Sequence, residues 1–140
     1  MLTENVFVDT GAWVALADID DTYHKQASAI YPSLLRQYKA LLTTNLVIAE
    51  SYILILKGLG HKAAAQFLDG ISASTRIIKV YSTEDLEREA EGILKRYADH
   101  DFSYTDAVSF AVMKKYKGKK AFSFDAHFAV MQFIKIPEMK

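Results

Sequence analysis

The chain has no cysteine. That absence excludes a disulfide scaffold, a thiolate metal site and a cysteine nucleophile, and it disfavours zinc, while it suits a reducing cytosol. The chain also has no net charge, because 17 lysines and arginines balance 17 aspartates and glutamates. No overall field therefore advertises a nucleic-acid binder, an acidic substrate or a membrane surface, and any polyanion binding has to come from a local patch. No apolar run reaches the roughly 18 residues of a membrane span. The amino terminus, MLTENVFVDTGAW, lacks the basic and apolar regions of a signal peptide. With two prolines and six glycines there is no linker, low-complexity segment or internal repeat. These absences lead us to expect a soluble, cytoplasmic protein with no membrane association.

What is present is a chain of 140 residues, 51% hydrophobic, the size and composition of one compact domain spanning 1–140. NVFVD, 5–9, reads as a short buried strand ending in an acid, and Thr10 and Gly11 turn it into the helix start GAWVALAD. Apolar residues recur at helical spacing over 22–38, with Pro32 a place for that helix to bend or break. ALLTT, 40–44, is a second strand, after which Thr44 or Asn45 caps a helix running through Glu50 to about Leu56, where KGLG ends it. A helix over 61–72, a strand RIIKVY over 76–81 and a helix EDLEREAEGILKRYA follow. The last third repeats the pattern with the helix SYTDAVSFAVMKKYK, the strand KKAFSFD, again ending in an acid, and a short strand in QFIKI. Strands alternating with helices predict an α/β domain with a mostly parallel central sheet covered on both faces, where sites form at the carboxyl ends of the strands.

Four acids stand out on that frame. Asp9 and Asp125 each end a strand and should emerge on the same sheet edge, while Glu50 and Asp106 lie early in helices that begin there. Taken singly, a strand-end aspartate is often a turn or cap residue, Asp106 could simply favour a helix dipole, and Glu50 could belong to a structural salt bridge. Glu50 sits in LVIAESYILIL, whose apolar residues suggest that it has no solvated face and must be compensated. Together the four are more telling. Two unit charges about 5 Å apart repel by roughly 3 kcal/mol at an effective dielectric of 20, so a cation is expected among them. An all-oxygen carboxylate site suits Mg²⁺ or Mn²⁺, ions that activate water and stabilise a leaving oxygen in phosphodiester hydrolysis. Asp9 and Asp106 are the strongest candidates for direct ligands. Glu50 and Asp125 are candidates for ligands, through-water ligands or the acceptor of the attacking water's proton, and the division of roles stays open.

VFVDT, AES, SYTDAVSFAVM and AFSFDAHF, in that order and over nearly the whole chain, resemble the PIN-domain family and in particular the VapC-type toxin ribonucleases. The resemblance implies a three-layer α/β/α domain that binds Mg²⁺ or Mn²⁺ and cuts single-stranded RNA to leave a 5′-phosphate and a 3′-hydroxyl. It matches the family's metal-site acids to Asp9, Glu50, Asp106 and Asp125. It places the hydroxyls of Thr10, Ser103, Thr105 and Ser123 beside them, where they would orient carboxylates or water. It also implies an antitoxin protein that blocks the acidic site with a basic side chain.

Other residues extend or rival this reading. His127, in FDAHF, is a candidate for contact with RNA or an acid, against the plainer reading of a polar helix start. KKYKGKK, 114–120, is the one concentrated basic stretch. Lys114, Lys115 and Lys117 could hold RNA phosphates with Tyr116 stacking on a base, or simply form a solvated helix end. Asp99 and Asp101 read mainly as loop residues. Trp13, Tyr23, Tyr31 and Tyr52 are core by spacing or part of a homodimer surface. A neutral RNA enzyme would need its metal ions and a small basic patch, doubled by dimerisation, or a partner that adds contacts. An aspartate-based phosphotransferase is disfavoured because VDTGAW lacks a second acid two residues on. The stronger rival is a PIN-like module that binds RNA or protein without catalysis.

Overall fold

The computed structural model of the chain describes Leu2 and residues 4–138. Five strands, β1 (Asn5–Val8), β2 (Ala40–Thr44), β3 (Ile77–Val80), β4 (Lys120–Phe122) and β5 (Ile134–Ile136), form one sheet in the order β3-β2-β1-β4-β5. Every pairing is parallel, with Phe7 opposite Leu42 on one side and Ala121 on the other. The sheet is thus wholly parallel rather than mostly so. The helices are α1 (Thr10–Ala17), α2 (His24–Gln37), α3 (Asn45–Leu59), α4 (His61–Ala73), α5 (Glu84–Arg96), α6 (Tyr104–Lys115) and a single turn, α7 (His127–Val130).

The packing follows from the apolar pattern. β2 is buried at all five residues and β1 at Val6, Phe7 and Val8, as expected of central strands covered on both faces. On one side Trp13 of α1 meets Tyr31 of α2 and Phe67 of α4 edge-on. On the other, Phe7 packs on Phe128, which meets Phe110 of α6 edge-on at 5.1 Å. The result is three layers, α/β/α. α6 is buried continuously from Thr105 to Met113, so it reads apolar nearly all round, with its charged residues at its ends and the mid-helix Ser109 hydroxyl bonded to the Thr105 carbonyl.

Helix limits show where local chemistry decided. Pro32 lies inside a continuous α2; it neither breaks nor ends the helix. Gly58 does not stop α3, which runs to Leu59 and ends at Gly60, whose φ of +94° lies where a side chain is disfavoured. Hydroxyl caps begin three helices: Thr44 accepts from the Val47 N–H, Thr83 from Leu86 and Ser103 from Asp106. The chain builds β1, β2 and β3 outward in one direction and then returns to the far side of β1 for β4. That reversal opens a crevice between the carboxyl ends of β1 and β4, the usual position of a binding site in such sheets.

Candidate active site

Asp9 leaves β1 into that crevice. Its backbone has the extended conformation of a helix cap, yet its side chain makes no capping bond to α1, unlike Thr44, Thr83 and Ser103. The carboxylate is turned instead toward β4, where Oδ2 accepts a hydrogen bond from the Ser123 hydroxyl at 3.1 Å. Trp13 Nε1 donates to Thr43 Oγ1, which in turn donates to the Val8 carbonyl, and these bonds fix the end of β1 against β2. Only 5% of Asp9 is exposed. Burial pushes its carboxyl up to about 7, helped by the negative charges of Asp106 and Asp125 and opposed by the Thr10 backbone N–H and the Ser123 hydroxyl.

Asp106 is the third residue of α6 and is locked there by a capping box. Its backbone N–H donates to Ser103 Oγ at 2.9 Å, and its Oδ2 accepts from the Ser103 N–H at 3.0 Å. Asp125 follows β4 in a turn: its N–H donates to Ser123 Oγ, and its Oδ1 accepts the His127 N–H. Ser123 therefore joins Asp9 to Asp125. His127 stands between the acids, with Nδ1 at 3.1 Å from Asp106 Oδ2 and 3.4 Å from Asp125 Oδ1. Its ring is held edge-on by Phe102.

Glu50 reaches the same cleft from α3 and accepts a hydrogen bond from the Thr10 hydroxyl at 3.1 Å. It is half-buried, which corrects the expectation of a carboxylate with no solvated face. The apolar run around it divides: Val47, Ile48 and Ile55 turn inward, while Ile53 and Leu54 remain 41% and 51% exposed. Glu50 thus meets water through the cleft and needs no buried salt bridge.

Asp9, Glu50, Asp106 and Asp125 all line one cavity of about 490 Å³. Among the described residues no lysine or arginine pairs with any of them; the one basic partner is His127. Asp106, Asp125 and His127 each offer a ligand atom within 4.8 Å of the others, a group able to hold a metal ion. Asp9 and Glu50 stand on the same cavity wall outside that close group.

The hydroxyls divide. The Thr10 and Ser123 hydroxyls donate to the carboxylates of Glu50 and Asp9 and the Ser103 hydroxyl accepts from the Asp106 backbone N–H, whereas no hydrogen bond among the described residues joins the buried Thr105 hydroxyl to an acid. Thr105 instead faces the packed side of α6, and its carbonyl accepts from Ser109. Lys114, Lys115 and Lys117 are not brought to the cleft: they lie at or beyond the far end of α6, whose 12 residues carry the chain about 18 Å from its start. Asp99 and Asp101 are exposed and do not line the cavity. Trp13 is core, only 4% exposed, so it offers no dimer surface. Sequence reasoning missed that Asp21, Tyr23 and Phe124 line the cleft. Tyr23 and Phe124 stack with ring centres 4.3 Å apart and planes 9° from parallel, a long-range pairing with no local signal.

The PIN domain model matches residues 6–134. The chain belongs to the PIN-domain family. It is 34% identical over 131 residues to the 23S rRNA-specific endonuclease VapC20 of Mycobacterium tuberculosis, covering 94% of this chain and 97% of that one. It is 30% identical over 125 residues to the VapC ribonuclease of Archaeoglobus fulgidus, covering 88% and 78% of the two. The crystal structure of M. tuberculosis VapC20, described as a sarcin-ricin loop cleaving toxin, superposes with a TM-score of 0.85 at 33% identity over 92% of this chain and 96% of that one. FitAcB from Neisseria gonorrhoeae, at 13% identity and a TM-score of 0.64, shares the PIN fold over 93% of this chain and 95% of that one. No helix among the described residues is long and apolar enough to cross a membrane.

Proposed function

We propose that this PIN domain is a metal-dependent endoribonuclease that hydrolyses phosphodiester bonds in single-stranded RNA, working in the cytoplasm as the toxin of a toxin–antitoxin pair. The observation that carries the reading is the convergence of Asp9, Glu50, Asp106 and Asp125 on one cavity with no lysine or arginine among the described residues paired to them. The ribonuclease names of two relatives, each at least 30% identical, support the reaction class. The mycobacterial relatives' substrate makes a loop of 23S rRNA the first RNA to try.

The donor set fits Mg²⁺ or Mn²⁺. Carboxylate oxygens suit both ions, and the nearby His127 imidazole is better tolerated by Mn²⁺. Bound there, such an ion lowers the pKa of water and stabilises charge on the leaving oxygen. The chain's own residues then divide the work. Asp106 and Asp125, which with His127 form the close ligand group, would hold the ion, and Asp9 on the same cavity would complete the carboxylate set. Ser123 fixes the orientation of Asp9, and Ser103 that of Asp106. Glu50, half-exposed and steadied by Thr10, is positioned to accept a proton from the attacking water. Tyr23 and Phe124, stacked on each other at the cleft, form an aromatic pair that a base beside the cut bond can extend by stacking on an outer ring face.

The uncompensated acids also suit an antitoxin that inserts a basic side chain. Exposed Ile53, Leu54 and Leu59 on α3, with Leu68 on α4, support pairing with a second copy. The test is cleavage of single-stranded RNA with Mg²⁺, Mn²⁺ or EDTA. Metal-dependent cutting should fall by about 100-fold or more in both Asp9→Asn and Asp106→Asn. Undiminished cutting in either variant would refute the assignment. Metal binding without cutting of any RNA would favour a non-catalytic RNA- or protein-binding module instead.

A further inference from the structure

We propose that the amino-terminal edge of the sheet, opposite the acids, carries a second RNA-binding pocket that holds backbone phosphates and one base of the substrate away from the cut bond. The inference rests on the reading of the chain as an RNA-acting protein and extends it to how the RNA is held. The pocket is a cavity of about 470 Å³ at the start of β1, β4 and β5, lined by Asn5, Tyr116, Lys117, Lys119 and Lys120, with Glu4 its one acid. Among the described residues, none of Lys114, Lys115, Lys117, Lys119 and Lys120 is engaged in an ion pair. Their charge is therefore free for an outside anion.

Three independent features match the parts of a ribonucleotide. The lysines suit phosphate. Tyr116, 45% exposed, offers a ring face to a base, with Lys115 Nζ 5.9 Å from its centre. Asn5 lines the pocket with an amide whose Oδ1 is buried and has no hydrogen-bond partner among the described residues, and rotation of that amide would bring it to a ribose 2′-hydroxyl or a base amino group. The backbone adds a fourth feature. α6 ends with the Gly118 N–H donating to the Met113 carbonyl and the Lys117 N–H to that of Lys114, which puts Lys117 at the left-handed position where glycine is usual. Lys117 holds φ +56° although Gly118 is the next residue. A lysine kept in a disfavoured conformation beside a pocket supports a use for its side chain there.

The geometry also says which RNA uses the pocket. With α6 separating it from Asp106 by about 18 Å, a very short strand in the cleft cannot reach it, and a longer or folded RNA can. The experiment measures affinity against salt, in EDTA, for an unstructured RNA of about three nucleotides and one of about 25, bracketing a typical single-strand site. It compares the wild type with Lys117→Gln/Lys119→Gln, Tyr116→Ala and Lys117→Gly.

For the longer RNA, the double variant should lower the slope of log affinity against log salt by about 1.4, from two lost phosphate contacts. Tyr116→Ala should weaken binding by roughly fivefold or more. Lys117→Gly should raise the melting temperature while lowering the slope by about 0.7, a combination that a merely structural lysine would not produce. Cleavage of the shorter RNA should stay at the wild-type rate. An unchanged salt slope in the double variant, or no binding of the longer RNA by the wild type, would overturn the pocket even if metal-dependent cleavage stands. Lysine-dependent binding by a protein that cuts nothing would keep the pocket and remove the nuclease.

Discussion

Asp9 makes the metal-free protein less stable as pH rises, and the effect is large enough to measure. Its carboxyl titrates near the ordinary value of 3.8 in the unfolded chain and at about 7 in the folded one. Between those values the folded state holds a proton that the unfolded state has released, so the folded state binds more protons and stability falls with increasing pH. The contribution is present in full below about pH 4 and is gone once pH passes about 7. Three pH units at 1.36 kcal/mol each give about 4 kcal/mol, with little solvent screening at so buried a side chain. Other acids titrate over the same range, so the quantity to measure is a difference. Urea unfolding in EDTA from pH 4 to pH 8 would compare the wild type with Asp9→Asn, whose amide cannot ionise. The variant should gain on the wild type by up to about 4 kcal/mol across the window. Mg²⁺ or Mn²⁺ at about 100 times its dissociation constant should then return about 2.7 kcal/mol to the wild type at pH 8, and little to the variant. A stability difference that stays flat from pH 4 to pH 8 would refute the claim that burial holds the proton on Asp9.

Four further outcomes test other parts of the structure. Ser103→Ala removes the α6 cap and should cost about 1 kcal/mol in denaturant unfolding; it should also lower kcat by loosening Asp106, so an unchanged kcat would separate the cap from the chemistry. Phe124→Ala removes one ring of the aromatic stack, and should weaken single-stranded RNA binding by about 1–3 kcal/mol in an anisotropy titration. Gly60→Ala meets open space but a φ of +94°, and should destabilise the fold by about 1–2 kcal/mol, read as a fall in melting temperature. Ile53→Lys, on the exposed apolar face of α3, should convert a dimer to monomer in sedimentation without altering the melting temperature of the isolated monomer.

The parts of this fold visible in the amino-acid order are those set by short-range patterns. NVFV and ALLTT read as covered strands because both faces are apolar, and Thr44, Thr83 and Ser103 mark helix starts because their hydroxyls satisfy free N–H groups. Asp9 and Asp125 could be placed on one edge because parallel strands share a direction. What was not legible depended on partners distant in the chain. Periodicity shows that LVIAESYILIL is apolar but not which side faces the sheet, so Glu50 read as buried when it lies at the mouth of a cleft. His127 was recognisable as polar, yet its place between Asp106 and Asp125 follows from how the turn after β4 meets the start of α6. Lys114 and Lys115 share a helix with Asp106, and only the length and direction of α6 separate the two chemistries.

That separation also accounts for the neutral net charge. In a wholly parallel sheet the helices that follow β1, β2 and the α5–α6 connection begin at the carboxyl edge, so α1, α3 and α6 bring their amino ends toward the acids. Their free N–H groups and positive dipole ends lower the cost of gathering negative charge there. The opposite edge collects helix carboxyl ends, where lysine is favoured: Lys114 and Lys115 close α6, Lys39 precedes β2, and Lys119 precedes β4. Equal numbers of acids and bases therefore do not cancel locally. The four cleft acids lie at one edge and Lys117, Lys119 and Lys120 line a cavity at the other, so the proposed cation site and the proposed phosphate surface do not neutralise one another. Lysines kept away from the cleft acids keep their charge available to phosphate, so a net charge of zero is compatible with RNA binding.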